Sequence, residues 1–231
     1  MMANRKMMMQ RTPEPELMDA PAQAKAYAEA DFSESNQAFV DQFASLAQGH
    51  GGPGCQVVDL GCGPGDICIR VAKAFPGWRV IGLDAGPNML ELARSAIESE
   101  ALTDRIELVL NHLPCALPGE PLQAIISNSL LHHLPDPMSL WQSIAEQAPV
   151  GCLVQVMDLH RPATAERALE LVDTYASDAP DILASDFYNS LLAAYTTDEV
   201  EDQLESSGLS QLTISRPTDR HWLVQGSITA R

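Results

Sequence analysis

The chain has 231 residues, enough for one full α/β domain with a small lid or insertion. Its 31 acidic and 14 basic side chains give a net charge of −17, which argues against a nucleic-acid partner or an anionic membrane surface, because both need a basic face. The five cysteines (Cys55, Cys62, Cys68, Cys115, Cys152) are odd in number and lack CxxC spacing, so no disulfide framework, no zinc site and no other metal is expected.

Residues 1–15 carry basic residues, methionines and two prolines without periodicity, and read as a disordered leader. No apolar run approaches a membrane span and no cleavage signal is present, so a cytoplasmic protein is expected. Residues 16–48 read as a helical cap, with Tyr27, Phe39, Val40, Phe43 and Leu46 on one face. The four glycines and a proline between Gly49 and Gly54 make a loop.

From there strand and helix alternate for about a hundred residues. Strands are predicted at 56–60, 79–83, 105–110, 122–127 and 151–157, and helices at 66–75, 87–99 and 137–147. This alternation implies a doubly wound, mostly parallel α/β sheet of Rossmann-like type. Residues 162–195 break the pattern with two helices separated by Pro180. A helix from Thr197, capped by it, follows. Two closing strands, 209–215 and 221–229, are expected to form an antiparallel edge hairpin, completing seven strands. That hairpin is also a candidate surface for a homodimer.

The chemistry concentrates where the first strand ends. Asp59-Leu60-Gly61-Cys62-Gly63-Pro64-Gly65 is a glycine turn leading into a helix, the place where open α/β sheets bind ligands. A dinucleotide site wants Gly-x-Gly-x-x-Gly, with the pyrophosphate on the helix N-terminus. Here the third glycine comes one residue early, and Asp66 puts a carboxylate where a pyrophosphate would sit. A nucleoside carrying a cationic amino acid group suits this loop better. Asp84 ends the next strand about 20 residues on, where an acid accepts ribose hydroxyls.

These motifs, with Gly82-Leu83-Asp84, Pro87-Asn88-Met89-Leu90 and Ser127-Asn128-Ser129-Leu130-Leu131-His132-His133-Leu134-Pro135-Asp136-Pro137, resemble the class I S-adenosylmethionine-dependent methyltransferases. The branch they resemble is the ubiquinone/menaquinone-biosynthesis type, and the likeness runs from about Val57 to Pro162. It implies S-adenosyl-L-methionine as cofactor, with Gly61, Cys62 and Gly63 along its methionine part and Asp59 near its amino group. Asp84 would hold the ribose, and Ala85 and Met89 would flank the adenine. The family usually offers an Asp to the adenine amino group. Here the position reads Asn111-His112-Leu113, so Asn111 or His112 takes the polar role and Leu113 a backbone one. Asn128 would approach the methionine end.

Methyl transfer from a sulfonium needs positioning and exclusion of water, and a base only if the nucleophile arrives protonated. Candidates for the chemistry are His132, His133 and Asp158, after the fourth and fifth strands. Arg161 either pairs with Asp158 or grips a substrate carboxylate. Tyr27, Asp186, Tyr188 and Asn189 are expected to face a small-molecule substrate from a lid made of the cap and the insertion. The competing readings are a nicotinamide-dependent oxidoreductase and a non-catalytic S-adenosylmethionine-binding protein.

Overall fold

The structure, a computed structural model, describes residues 9–14, 19–50, 52, 54–119 and 121–230. Seven strands form one sheet: β1 (Gln56–Leu60), β2 (Arg79–Asp84), β3 (Ile106–Leu110), β4 (Leu122–Asn128), β5 (Leu153–Leu159), β6 (Thr213–Ser215) and β7 (His221–Ser227). Their order is β3-β2-β1-β4-β5-β7-β6, with β1 to β5 parallel and β7 antiparallel to both β5 and β6. The doubly wound, mostly parallel sheet with an antiparallel hairpin at one edge is thus as the alternation predicts.

The sheet is covered on both faces, and strand alternation sorts the side chains between them. Val57, Val80, Ala124 and Ile126 pack under α2 (Ser33–Leu46), α3 (Asp66–Ala74) and α4 (Pro87–Ser99). Val58, Leu60, Ile81, Ile125 and Trp222 pack under α5 (Met138–Gln147) and α8 (Thr197–Ser206). In α3, Ile67, Cys68, Val71 and Ala72 are buried, a stripe at helical spacing that fixes the helix after the glycine turn. The two faces cover the strands so fully that all seven residues of β5 are buried.

A third apolar cluster sits beyond the sheet, where Leu159 meets α6 (Ala165–Tyr175) and α7 (Asp181–Ala193) through Ala168, Leu171 and Leu191. These are the two helices expected around Pro180, which stands as the residue before α7.

Several expectations need correction. The cap is two helices, α1 (Pro21–Glu29) and α2, because Asp31 turns the chain and accepts a bond from Ser33 N at 3.0 Å. α8 is capped by Thr196, not Thr197. Thr196 Oγ1 accepts from Glu199 N while the Glu199 carboxylate accepts from Thr196 N at 2.8 Å, a reciprocal capping box. The sixth strand is only three residues, a short edge.

The largest correction concerns the leader, of which residues 1–8 and 15 lie outside the described residues. Residues 9–14 are not loose. Met9 N bonds Ala163 O at 3.1 Å and Thr12 N bonds Leu192 O at 3.0 Å. Arg11 donates to Ala193 O and to His132 O, and its guanidinium lies 4.2 Å from the centre of the Tyr195 ring. No helix of the described residues is long and apolar enough to cross a membrane.

Candidate functional site

The crevice opens where the strand order reverses, between the carboxyl ends of β1 and β4. The chain leaves β1 through Gly61 at φ +73, and Gly61 N and Cys62 N both bond Leu83 O, which ties the loop to β2. An added Cβ at Gly61 would lie 2.7 Å from Leu130 Cδ1, so a side chain there would have to push Leu130 aside as well as strain the backbone. At Gly63 an added Cβ meets nothing within 4 Å. The bare backbone there borders open space.

That space is a cavity of about 1230 Å³. Its walls include Asp59, Gly61, Cys62, Gly63, Asp84, Ala85, Met89, Asn111, His112, Leu113 and Asn128. The structure therefore brings to one cavity every residue that the resemblance assigned to the cofactor. From the other end it is walled by Tyr27, Phe32, Asp186, Phe187, Ser190, His132 and His133.

The electrostatics differ along the cavity. Asp59 is 1% exposed, and its carboxylate accepts a bond from Cys68 Sγ at 3.2 Å. Burial, with the charge of Asp84 behind it, pushes its carboxyl up to about 7 against the pull of that hydrogen bond. Asp84 accepts from Gly63 N at 2.8 Å and Gly86 N at 2.7 Å, so its carboxylate is aimed between the two turns. Burial raises it as well. Asn128 Oδ1 is buried without a partner among the described residues. Two desolvated carboxylates and one orphaned acceptor fit a ligand that brings an ammonium group and hydroxyls.

In the loop after β3, Asn111 Oδ1 accepts from His112 N at 2.9 Å, which orients the loop. The N-terminus of α4 lacks a cap of its own because Gly86 precedes it. Asp19 supplies one from afar, accepting from Asn88 N at 2.9 Å and Met89 N at 3.2 Å. Asp66, read as a repulsive charge at the α3 N-terminus, is paired with Arg70 at 2.7 Å and accepts from Asn36 at 2.8 Å.

At the far end, Asp158 is buried behind His132 and accepts from His132 Nδ1 at 2.6 Å, His132 N at 3.0 Å and Leu159 N at 2.6 Å. Burial would raise Asp158, but His132 outweighs it and holds the carboxyl below its usual range. Burial would lower His132, but Asp158 and then Glu14 outweigh it and raise the imidazole. Tyr27 faces the cavity with its ring 4.9 Å from that of Phe32. Burial and the charges of Asp158, Asp84 and Asp66 push its hydroxyl up to about 12, so it is a donor at neutral pH. Asp186 accepts from Gln23 Nε2 at 3.0 Å, a contact that joins α7 to α1 over the cavity.

Three expected substrate residues lie elsewhere. Tyr188 packs into the cluster with Leu159 and Ala168. Asn189 is exposed and does not line the cavity. Helix phase is the reason: Asp186, Phe187 and Ser190 share the cavity face, and Tyr188 and Asn189 do not. Arg161 neither pairs with Asp158 nor lines the cavity. Its guanidinium bonds Met9 O, Ala194 O and Glu199, the last at 2.6 Å.

Sequence reading missed Glu14 and Asp19. Both reach the site from the N-terminal segment, more than 65 residues from their partners along the chain. No local pattern announces such contacts.

Residues 57–149 match the family described as "Methyltransferase domain". This part of the chain is similar to methyltransferase domains. A release factor glutamine methyltransferase of Gloeobacter violaceus is 32% identical over 112 residues, 48% of this chain and 35% of the relative. A trans-aconitate 2-methyltransferase of Methylobacterium nodulans is 36% identical over 105 residues, 45% of this chain and 38% of the relative. The chain thus spans well under half the length of these curated relatives. Among solved structures, a plantazolicin methyltransferase in complex with a triazolic desmethylPZN analog and SAH shares the fold. Its TM-score is 0.64 at 14% identity, over 89% of this chain and 91% of that one.

Proposed function

We propose that the protein transfers a methyl group from S-adenosyl-L-methionine to a small-molecule nucleophile. The observation that carries this reading is the size and polarity of one cavity. At about 1230 Å³ it exceeds the volume range of about 300–1000 Å³ typical for a single small ligand, which leaves room for a cofactor and an acceptor together. Its β1–β2 end presents Asp59, Asp84 and the bare Gly63 backbone, and its other end presents His132, His133, Tyr27 and Asp186. Cofactor and acceptor would therefore meet end to end, which in-line displacement requires.

In this reading Asp59 and Asn128 receive the methionine ammonium, and Asp84 receives the ribose hydroxyls. Ala85, Met89 and the Asn111-His112-Leu113 loop enclose the adenine. The bound cofactor supplies an activated methyl on sulfur. The chain's own work is to orient the acceptor, exclude water beneath α1 and α7, and activate the nucleophile at His132, His133 and Asp158. The motif Ser127–Pro137 supports the ubiquinone/menaquinone-biosynthesis-like branch, and the acidic surface supports a soluble cytoplasmic enzyme acting on metabolites.

The acceptor differs in kind from a polycarboxylate. The arginines nearest the cavity are engaged: Arg70 with Asp66, Arg220 with Asp219, and Arg11 with two carbonyls. A neutral or cationic nucleophile matches these walls.

Incubation with methyl-labelled cofactor and a metabolite extract, read by mass spectrometry, tests the proposal. Release of S-adenosylhomocysteine with a labelled small product is expected. Binding of NAD in place of S-adenosylmethionine, or cofactor binding without turnover on any extract, would replace it with one of the two alternatives.

A further inference from the structure

Methyl transfer alone gives no reason for a third side chain at the acceptor end. Glu14, His132 and His133 each place one donor atom within 4.8 Å of the others. Glu14 Oε1 lies 3.2 Å from His133 Nδ1 and 3.5 Å from His132 Nε2. These are the separations of neighbouring ligands around one ion with bonds of about 2.0–2.1 Å. The side chains are shielded from water, at 11%, 12% and 3% exposed for Glu14, His133 and His132.

The cluster is built rather than incidental. Glu14 is seated by Ser190 Oγ at 2.9 Å. The backbone beside it is pinned by Thr12 N to Leu192 O and by Arg11 to Ala193 O. Arg11 also bonds His132 O, so one residue fixes both halves of the cluster.

Asp158 is the independent observation. Its bond to His132 Nδ1 holds a proton on that nitrogen, so in the neutral imidazole it is Nε2, the atom that faces Glu14, that would offer a lone pair to a cation. A buried carboxylate behind an imidazole is the usual support of a metal-binding histidine. Charge balance agrees. Asp158, Glu14 and Asp186 bring three negative charges and Arg11 one positive, and a divalent cation bound by two neutral imidazoles brings the sum to zero.

We propose that Glu14, His132 and His133 form a binding site for a first-row divalent cation of the zinc class, at the acceptor end of the cavity. Two nitrogens and one carboxylate oxygen suit zinc or ferrous iron over magnesium or calcium. Three protein ligands leave a position open to the cavity. Resting on the methyltransferase reading, that position takes the acceptor heteroatom, and the cation favours its deprotonated form; the proton leaves to solvent. The cation site itself does not depend on that reading.

The test uses the full chain, stripped with a chelator and titrated with Zn²⁺ by calorimetry, with metal content counted by mass spectrometry. One ion per chain is expected, with a rise in Tm on binding. Glu14→Gln and His133→Ala should each weaken it at least 100-fold, and His50→Ala, at an exposed histidine, should not. Retained S-adenosylhomocysteine binding in the Glu14→Gln chain shows that it is folded and separates this site from the cofactor site. If the variants do not fold, Co²⁺ on the parent chain decides. Visible bands without a thiolate charge-transfer band support the site. A thiolate band, no stoichiometric ion, or binding indifferent to Glu14 and His133 overturns it.

Discussion

Asp59→Asn separates the cost of the empty site from its use. Asp59 is 1% exposed and its ordinary value of 3.8 is pushed up to about 7. Because the folded value is raised, the stability linked to Asp59 is fully present below the unfolded value and is lost as pH rises through about 7. Holding the ionised carboxylate at pH 8 therefore costs the cofactor-free fold about 4 kcal/mol. The amide cannot ionise, and its own unmade hydrogen bonds take back part of the gain. Asp59→Asn should stabilise the cofactor-free protein by about 2–4 kcal/mol at pH 8, and should not stabilise it at pH 4. Urea denaturation at pH 4, 6 and 8 measures this. The same substitution should weaken S-adenosylhomocysteine binding at least tenfold at pH 8, because the ammonium loses its counter-charge. Destabilisation of equal size at every pH would refute the reasoning, since it would mean the carboxylate is already compensated.

Gly61→Ala forces a Cβ against Leu130 at a φ of +73 and should cost on the order of 2–3 kcal/mol, with cofactor affinity falling more than tenfold, read by thermal melts and calorimetry. His221 is held down at about 4 by burial, so its contribution is present above the unfolded value of 6.5 and is lost as pH falls from there to about 4. His221→Gln should reduce the acid-induced loss of stability over that window by up to about 3 kcal/mol in urea titrations. Arg161→Met breaks three hydrogen bonds in a buried junction. With Glu199 partly hydrated, the loss should be about 2–3 kcal/mol in denaturation, with the acceptor KM unchanged. A raised KM with unchanged stability would return Arg161 to the substrate.

Much of the frame is legible in the sequence because local rules govern it. The helix predicted at 87–99 has those same bounds in the structure, with Pro87 at its first turn and its buried residues at helical spacing. β1 to β5 follow from apolar runs between turn residues. The Thr196 cap was readable too: Thr196 stands three residues before Glu199, and Thr197 does not. Helix phase in α7 was harder, because Phe187, Tyr188, Leu191 and Leu192 are apolar around most of the helix and leave no clear stripe. The N-terminal segment was not readable at all. Arg11 and Glu14 gain their meaning from partners on α7 and the turn after β4, and a segment with two prolines and no periodicity looks like an untethered tail until those partners are placed; Asp19, read as part of the helical cap, gains its meaning from α4.

The most direct test is calorimetric titration of the purified chain with S-adenosylhomocysteine, beside an Asp84→Ala variant. One site per chain is predicted, lost in the variant while its fold is retained. Absence of binding by the parent chain, or binding untouched by Asp84→Ala, would contradict the central claim that the glycine turn and Asp84 hold the methyl donor.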